Sequence, residues 1–195
     1  RAAWAGSVAS GLVSLARRRR MRLGYLEFAS GVGAVFDRRG AFLSRDYEDL
    51  AAGAARLTCA GATNYELALR RALALAGWSG DQGCRAWSPG NRHLLFLTDG
   101  CPTVGDAAVA KERVLARRLG VRIHTVYVGC PWTYPAVLNL MSQDTRGAQF
   151  SAFAETVGSS GGGNASASEV GQVRVVQRCP REWHALESTL GRGAT

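Results

Sequence analysis

The sequence predicts an α/β protein of the Rossmann-like, doubly wound kind: a mainly parallel sheet with helices on both faces and one antiparallel edge strand. Three observations predict it. Short apolar runs at 93–98, 121–128 and 149–153 are bounded by turn signals, as buried strands are. Segments with helical periodicity, about 10–15 residues long, separate them, and that alternation builds βαβ units with parallel strands. The run RHLLFLTDGCPTVGD at 92–106 ends its apolar stretch on Asp99-Gly100, a polar strand end of the kind that carries ligands in such sheets.

Taken in order, residues 2–17 read as an amphipathic helix, with Trp4, Val8, Leu12 and Leu15 recurring at helical spacing. The four arginines 17–20 close it, where the helix dipole favours positive charge. Residues 22–28 read as a strand, and 31–36 as a second strand joined by a tight Ala-Ser-Gly turn. Residues 46–57 are helical, with Tyr47, Leu50, Ala54 and Leu57 on one face. Gly61-Ala62-Thr63-Asn64 breaks the pattern, and a helix with Leu69, Ala72, Leu73 and Ala76 at core spacing follows. Thr63 or Asn64 is its N-cap, and Glu66 completes a capping-box pattern with Thr63. Residues 78–90 read as a loop, 106–119 and 135–142 as helices. Three units are expected: a domain over 1–153, a flexible Gly/Ser linker over 154–168, and a tail over 169–195 with a strand at 170–176 and a helix at 181–190.

Composition bounds the function. A chain of 195 residues, 47% hydrophobic and 20% charged, is long enough for one real core. It contains no apolar run of 18 residues, so no membrane span is expected. Residue 1 is not Met and falls at the start of a helix, from which we expect a fragment of a longer protein. The net charge is +9, carried by 23 arginines and the single Lys111. Aromatic residues do not interleave with the arginine run, and no nucleic-acid motif accompanies it, so nucleic acid is not the expected partner. Five cysteines (59, 84, 101, 130 and 179) are widely spaced, odd in number and without a CxxC pair. We read them as reduced thiols and expect an intracellular, cytoplasmic protein. Asn164-Ala165-Ser166 matches a glycosylation sequon and carries little weight.

The chemistry is sparse. A hard cation such as Mg²⁺ takes oxygen ligands and retains several waters. Asp99 offers a carboxylate at a strand end, and Thr63 a hydroxyl at a helix start. Gly61, Asn64, Gly100 and Cys101 would form the rim of such a site. Each feature also has a plain structural reading, as a turn or a cap. His93, His124 and His184 are dispersed and read as structural. No Walker A or His-Glu-x-x-His motif is present, and no base is identifiable to activate Cys101.

The order of segments resembles a von Willebrand factor A-type (vWA) domain. RMRLGYLEFAS (20–30) resembles that family's second strand, GATNYELAL (61–69) its Gly-Thr-x-x-x-x-Ala-Leu loop, and HLLFLTDGCPT (93–103) its strand ending in Thr-Asp-Gly. RLGVRIHTVYVG (118–129) and the residues through Phe150 resemble the next strand, helix and last strand. The resemblance implies a metal-ion-dependent adhesion site made of an Asp-x-Ser-x-Ser loop, a Thr and an Asp. Thr63 and Asp99 match the second and third parts. The first part is missing: Ser7, Ser10 and Ser14 lie in the first helix without an Asp. The family's first strand, central in its sheet, would immediately precede residue 1. Either the chain is truncated just after that motif or it is a degenerate, metal-free copy.

The resemblance therefore implies a protein-interaction module, not an enzyme. It would dock an acidic partner group through Mg²⁺ or Mn²⁺, provided the upstream motif exists. Residues 105–142 further resemble intracellular A domains that work beside MoxR-type AAA+ ATPases or in chelatase-like complexes, which makes such assemblies the expected partners. The alternatives are a metal-free structural domain in a larger assembly and a metal-assisted hydrolase.

Overall fold

The structure, a computed structural model, describes residues 2–35, 42–56, 61–76 and 92–153. The expected loop at 78–90, the linker and the tail lie outside the described residues, as do Cys59, Cys84, Cys179, His184 and the sequon. The chain runs α1 (Ala2–Arg18), β1 (Tyr25–Phe28), β2 (Val32–Val35), α2 (Tyr47–Ala55), α3 (Tyr65–Leu75) and β3 (Arg92–Thr98). It continues through α4 (Ala110–Arg118), β4 (Val121–Gly129), a 3-10 turn (Pro131–Thr133), α5 (Val137–Thr145) and β5 (Gln149–Phe153). The expected α/β class is what the chain adopts. No described helix is long and apolar enough to cross a membrane.

The strands form two pieces. β3, β4 and β5 make a parallel sheet in that order, with Phe96 opposite Thr125 and Val126 opposite Phe150. β1 and β2 make a separate antiparallel hairpin, Tyr25 opposite Val35. The two pieces meet through side chains. Phe28 on β1 lies 5.0 Å from Phe96 on β3, ring centre to ring centre, and Tyr65 on α3 packs edge-on against both at 6.1 and 4.8 Å. Such edge-to-face contacts suit the ring quadrupoles. The core continues from this cluster through Leu69, Leu73, Ile123, Tyr127, Leu138 and Met141, all fully buried.

Several helices differ in detail from the sequence reading. On α1 the buried stripe is Ala9, Val13 and Ala16, one residue over from the expected Val8, Leu12 and Leu15, which are half-buried. The reason is close approach: small residues face α2, and a Cβ at Gly6 would lie 3.5 Å from the Ala54 carbonyl oxygen. α4 starts at 110 rather than 106. Asp106 accepts hydrogen bonds from the Ala108 and Ala110 amides, forming a turn, and Val109 takes a left-handed conformation (φ 45°) before the helix begins. α5 runs to Thr145. It closes with Arg146 at φ 58° and a hydrogen bond from Gly147 N to Ser142 O, the Schellman arrangement.

Two polar features hold elements together. Arg70 on α3 bonds Glu66 on its own helix and reaches Glu112 Oε1 on α4 at 3.2 Å, where the Glu112 carboxylate is only 5% exposed. On the sheet, His93 and His124 stack, and His93 Nδ1 lies 2.9 Å from His124 Nε2. The Ala148 amide donates to His124 Nδ1 at 3.0 Å, so the neutral ring carries its proton on Nε2 and donates to His93. One imidazole thus bridges β3, β4 and the approach to β5.

Burial, then the neighbouring His93 and Arg122, push the His124 pKa down to about 4; His93 is also lowered, by burial and Arg122. The unfolded chain protonates its histidines near 6.5 while the folded chain does not, so stability falls as pH drops. We expect a loss of about 3 kcal/mol from His124 between pH 6.5 and about 4, read by denaturant titration across that range. His124→Phe should flatten the dependence. Separately, a Cβ at Gly147 would collide with the Ile123 carbonyl. Gly147→Ala should destabilise by at least about 2 kcal/mol in the same assay.

Candidate functional site

The carboxyl ends of the parallel strands form one rim, and four loops meet there. Asn64 N donates to Ala29 O at 2.9 Å, which fastens the start of α3 to the end of β1. Thr63 is stitched to the loop after β3. Its amide donates to Thr103 Oγ1 at 2.9 Å, and its carbonyl accepts from the Thr103 and Val104 amides at 2.8 and 3.2 Å. Cys101 Sγ donates to Thr133 O at 3.3 Å, joining that loop to the 3-10 turn after β4. Thr133 in turn is held by Tyr127: their hydroxyls lie 2.6 Å apart.

Each predicted site residue has a place on this rim. Asp99 and Gly100 leave the end of β3, both half-buried. A Cβ on Gly100 would lie 3.8 Å from Thr63 Oγ1, so the Thr63 hydroxyl sits beside the Asp99-Gly100 turn. Gly61 has φ +90°, a conformation that side-chain-bearing residues resist, and it lies near Ser30. Asn64 is the N-cap of α3, its side chain accepting from the Leu67 amide at 2.9 Å. The capping-box expectation needs correction. Thr63 does not cap the helix, and Glu66 turns outward to accept from the Asp106 amide at 2.7 Å. That bond, then Arg70, holds the Glu66 carboxyl below its usual range.

Sequence reading missed Tyr65. Its ring is fully buried, and its hydroxyl donates to the Gly100 carbonyl while lying 3.2 Å from Thr98 Oγ1. Burial raises its pKa well above the ordinary tyrosine value, so it remains a neutral donor. It fixes the Gly100–Cys101 peptide, next to Asp99. Position was the available signal: it is the first helical residue after the N-cap, where a large aromatic is unusual. Trp132 was also missed. It is 90% exposed in the 3-10 turn, and exposed Val104 and Leu67 share the rim with it.

Thr63 and Asp99 supply two oxygen donors. Among the described residues no group of three or more His, Cys, Asp or Glu side chains could hold a metal ion. Two donors fall short of the shell that Mg²⁺ demands, even with retained water. The described residues do not complete a metal centre by themselves. Ser7, Ser10 and Ser14 are exposed along α1 and do not change that count.

No family model matches the chain, and no curated protein does. Solved structures do resemble it. Proximal thread matrix protein 1 from the mussel byssus superposes with a TM-score of 0.55 at 17% identity, over 74% of this chain and 36% of that one. A von Willebrand factor type A protein from Catenulispora acidiphila superposes with a TM-score of 0.53 at 17% identity, over 73% of this chain and 33% of that one. This chain thus spans about a third of each. The fold is vWA-like.

Tyr65→Phe removes the donor to Gly100 while keeping the ring. It should lower stability by about 1–2 kcal/mol, measured by chemical denaturation. It should also broaden the amide NMR signals of Asp99 and Gly100 while those of β4 stay sharp.

Proposed function

We propose that this chain is a protein-interaction module whose docking face is the carboxyl rim, and that it is not an enzyme. The observation that carries the reading is the placement of the Thr63 hydroxyl beside the Asp99-Gly100 turn at the strand ends of a vWA-like sheet. Exposed Trp132, Val104 and Leu67 around that point supply apolar contact area, which suits protein docking.

The finer reading is that Thr63 and Asp99 hold part of the shell of a Mg²⁺ or Mn²⁺ ion, and that an acidic side chain of the partner completes it. The missing donors would come from an Asp-x-Ser-x-Ser strand seated between β1 and β3. The division of the strands into two pieces supports this, since β1 and β3 do not pair with each other among the described residues. An AAA+ ATPase or chelatase-like complex is the partner class to try first. The shortage of donors among the described residues favours a second reading, a vWA-like domain that binds its partner without metal.

Thermal unfolding with and without Mg²⁺ or Mn²⁺ separates the two. For a form of this chain that carries an Asp-x-Ser-x-Ser segment ahead of α1, the metal reading predicts a rise of several degrees, abolished by Asp99→Ala. No rise in that protein removes the metal and leaves the metal-free domain.

A further inference from the structure

The opposite rim of the sheet has a different character. Strand β1 ends at the carboxyl rim, so the chain entering it lies at the amino rim. There the exposed arginines 17–20 follow from α1 into exposed Arg22. An antiparallel bridge between Leu23 and Ser44 brings exposed Arg45 alongside. The parallel topology adds more. α4 returns to the amino rim before β4, ending in exposed Arg117 and Arg118, and α5 returns before β5, ending at exposed Arg146.

Helix dipoles favour basic residues in a last turn, which accounts for Arg17, Arg18, Arg117 and Arg118. They do not account for Arg22 and Arg45, which lie outside any helix. Among the described residues of this rim, acidic groups are fewer than basic ones. Glu48 pairs with Arg17 at 3.2 Å, Asp144 with Arg113, and Asp46 caps α2. Asp49 lies in the first turn of α2.

We propose that the amino rim is a second docking face, for a protein segment rich in Asp and Glu. Guanidinium groups meet carboxylates in bidentate pairs, and a field of one sign steers such a partner toward the rim. Other polyanions fit less well. The rings nearby, Tyr25, Phe42 and Tyr47, are all half-buried, unlike the exposed aromatic platforms on which unpaired bases stack. α1, α4 and α5 present their C-termini here, and the one described N-terminus, that of α2, is already capped by Asp46 with Glu48 and Asp49 in its first turn, which disfavours a phosphate. None of the exposed large apolar residues among the described residues lies on this rim to enter a membrane: Leu67, Val104 and Trp132 sit at the other rim, Val114 and Leu140 within helices. The proposal stands apart from the metal reading, which concerns the opposite rim.

The test uses the full chain and three probes at low salt: a fluorescent poly-glutamate peptide, a short DNA duplex and phosphatidylserine vesicles. The peptide should bind, more weakly as salt rises. Arg18→Gln, Arg19→Gln and Arg20→Gln together should weaken it about tenfold. The matching lysine substitutions should retain most of the affinity, which separates lost charge from lost fold, and unchanged thermal unfolding of the glutamine variant confirms the separation. Binding that the glutamine variant keeps, no peptide binding, or binding to DNA or vesicles in preference to peptide overturns the proposal.

Discussion

Tyr65 is the residue on which the arrangement depends. Among the described residues, backbone pairing does not join the β1–β2 hairpin to the parallel sheet. What joins them is the cluster of Phe28, Tyr65 and Phe96 together with the Asn64–Ala29 hydrogen bond. The ring of Tyr65 occupies the centre of that cluster, and its hydroxyl holds the Gly100 carbonyl. A single side chain therefore sets both the packing of two sheet pieces and the path of the chain after Asp99. A buried, neutral hydroxyl is suited to this, because leaving it unpaired would be costly.

The parallel topology has a second consequence. Every βαβ unit sends its strand ends to one rim and its helix ends to the other. The carboxyl rim collects Asp99, Thr63 and the exposed Trp132, while the amino rim collects arginines. The two rims thus differ in chemistry for a reason built into the chain's connectivity. A net charge of +9 read from composition says nothing of this division; the fold separates the charge in space.

Much of this was legible beforehand. The run ending at Asp99 is a strand, as its short apolar stretch bounded by turn signals predicts, and Phe96 and Thr98 are buried in it. The order of strands and helices followed from short apolar runs, turn signals and helical periodicity. What escaped was decided by tertiary contact. Asn64 took the cap from Thr63 because Thr63 is occupied with the loop at 103–104. Glu66 left the capping box because the Asp106 amide competes for its carboxylate. The start of α4 moved because the Asp106 side chain satisfies the amides that a longer helix would have left open. The His93–His124 pair was invisible because 31 residues separate two side chains that the β3–β4 register places together. Trp132 escaped because periodicity reports what is buried, and an exposed aromatic in a short turn has no period.

The central claim is that the hairpin and the parallel sheet are two pieces coupled by side chains. Native-state hydrogen exchange tests it most directly, since each cooperative unit reports its own opening free energy. The account predicts that the amides hydrogen-bonded across the β1–β2 pairing exchange through an opening clearly cheaper than the one exposing Ile123 and Val126 on β4. Equal protection across both pieces, opening only with global unfolding, would contradict it.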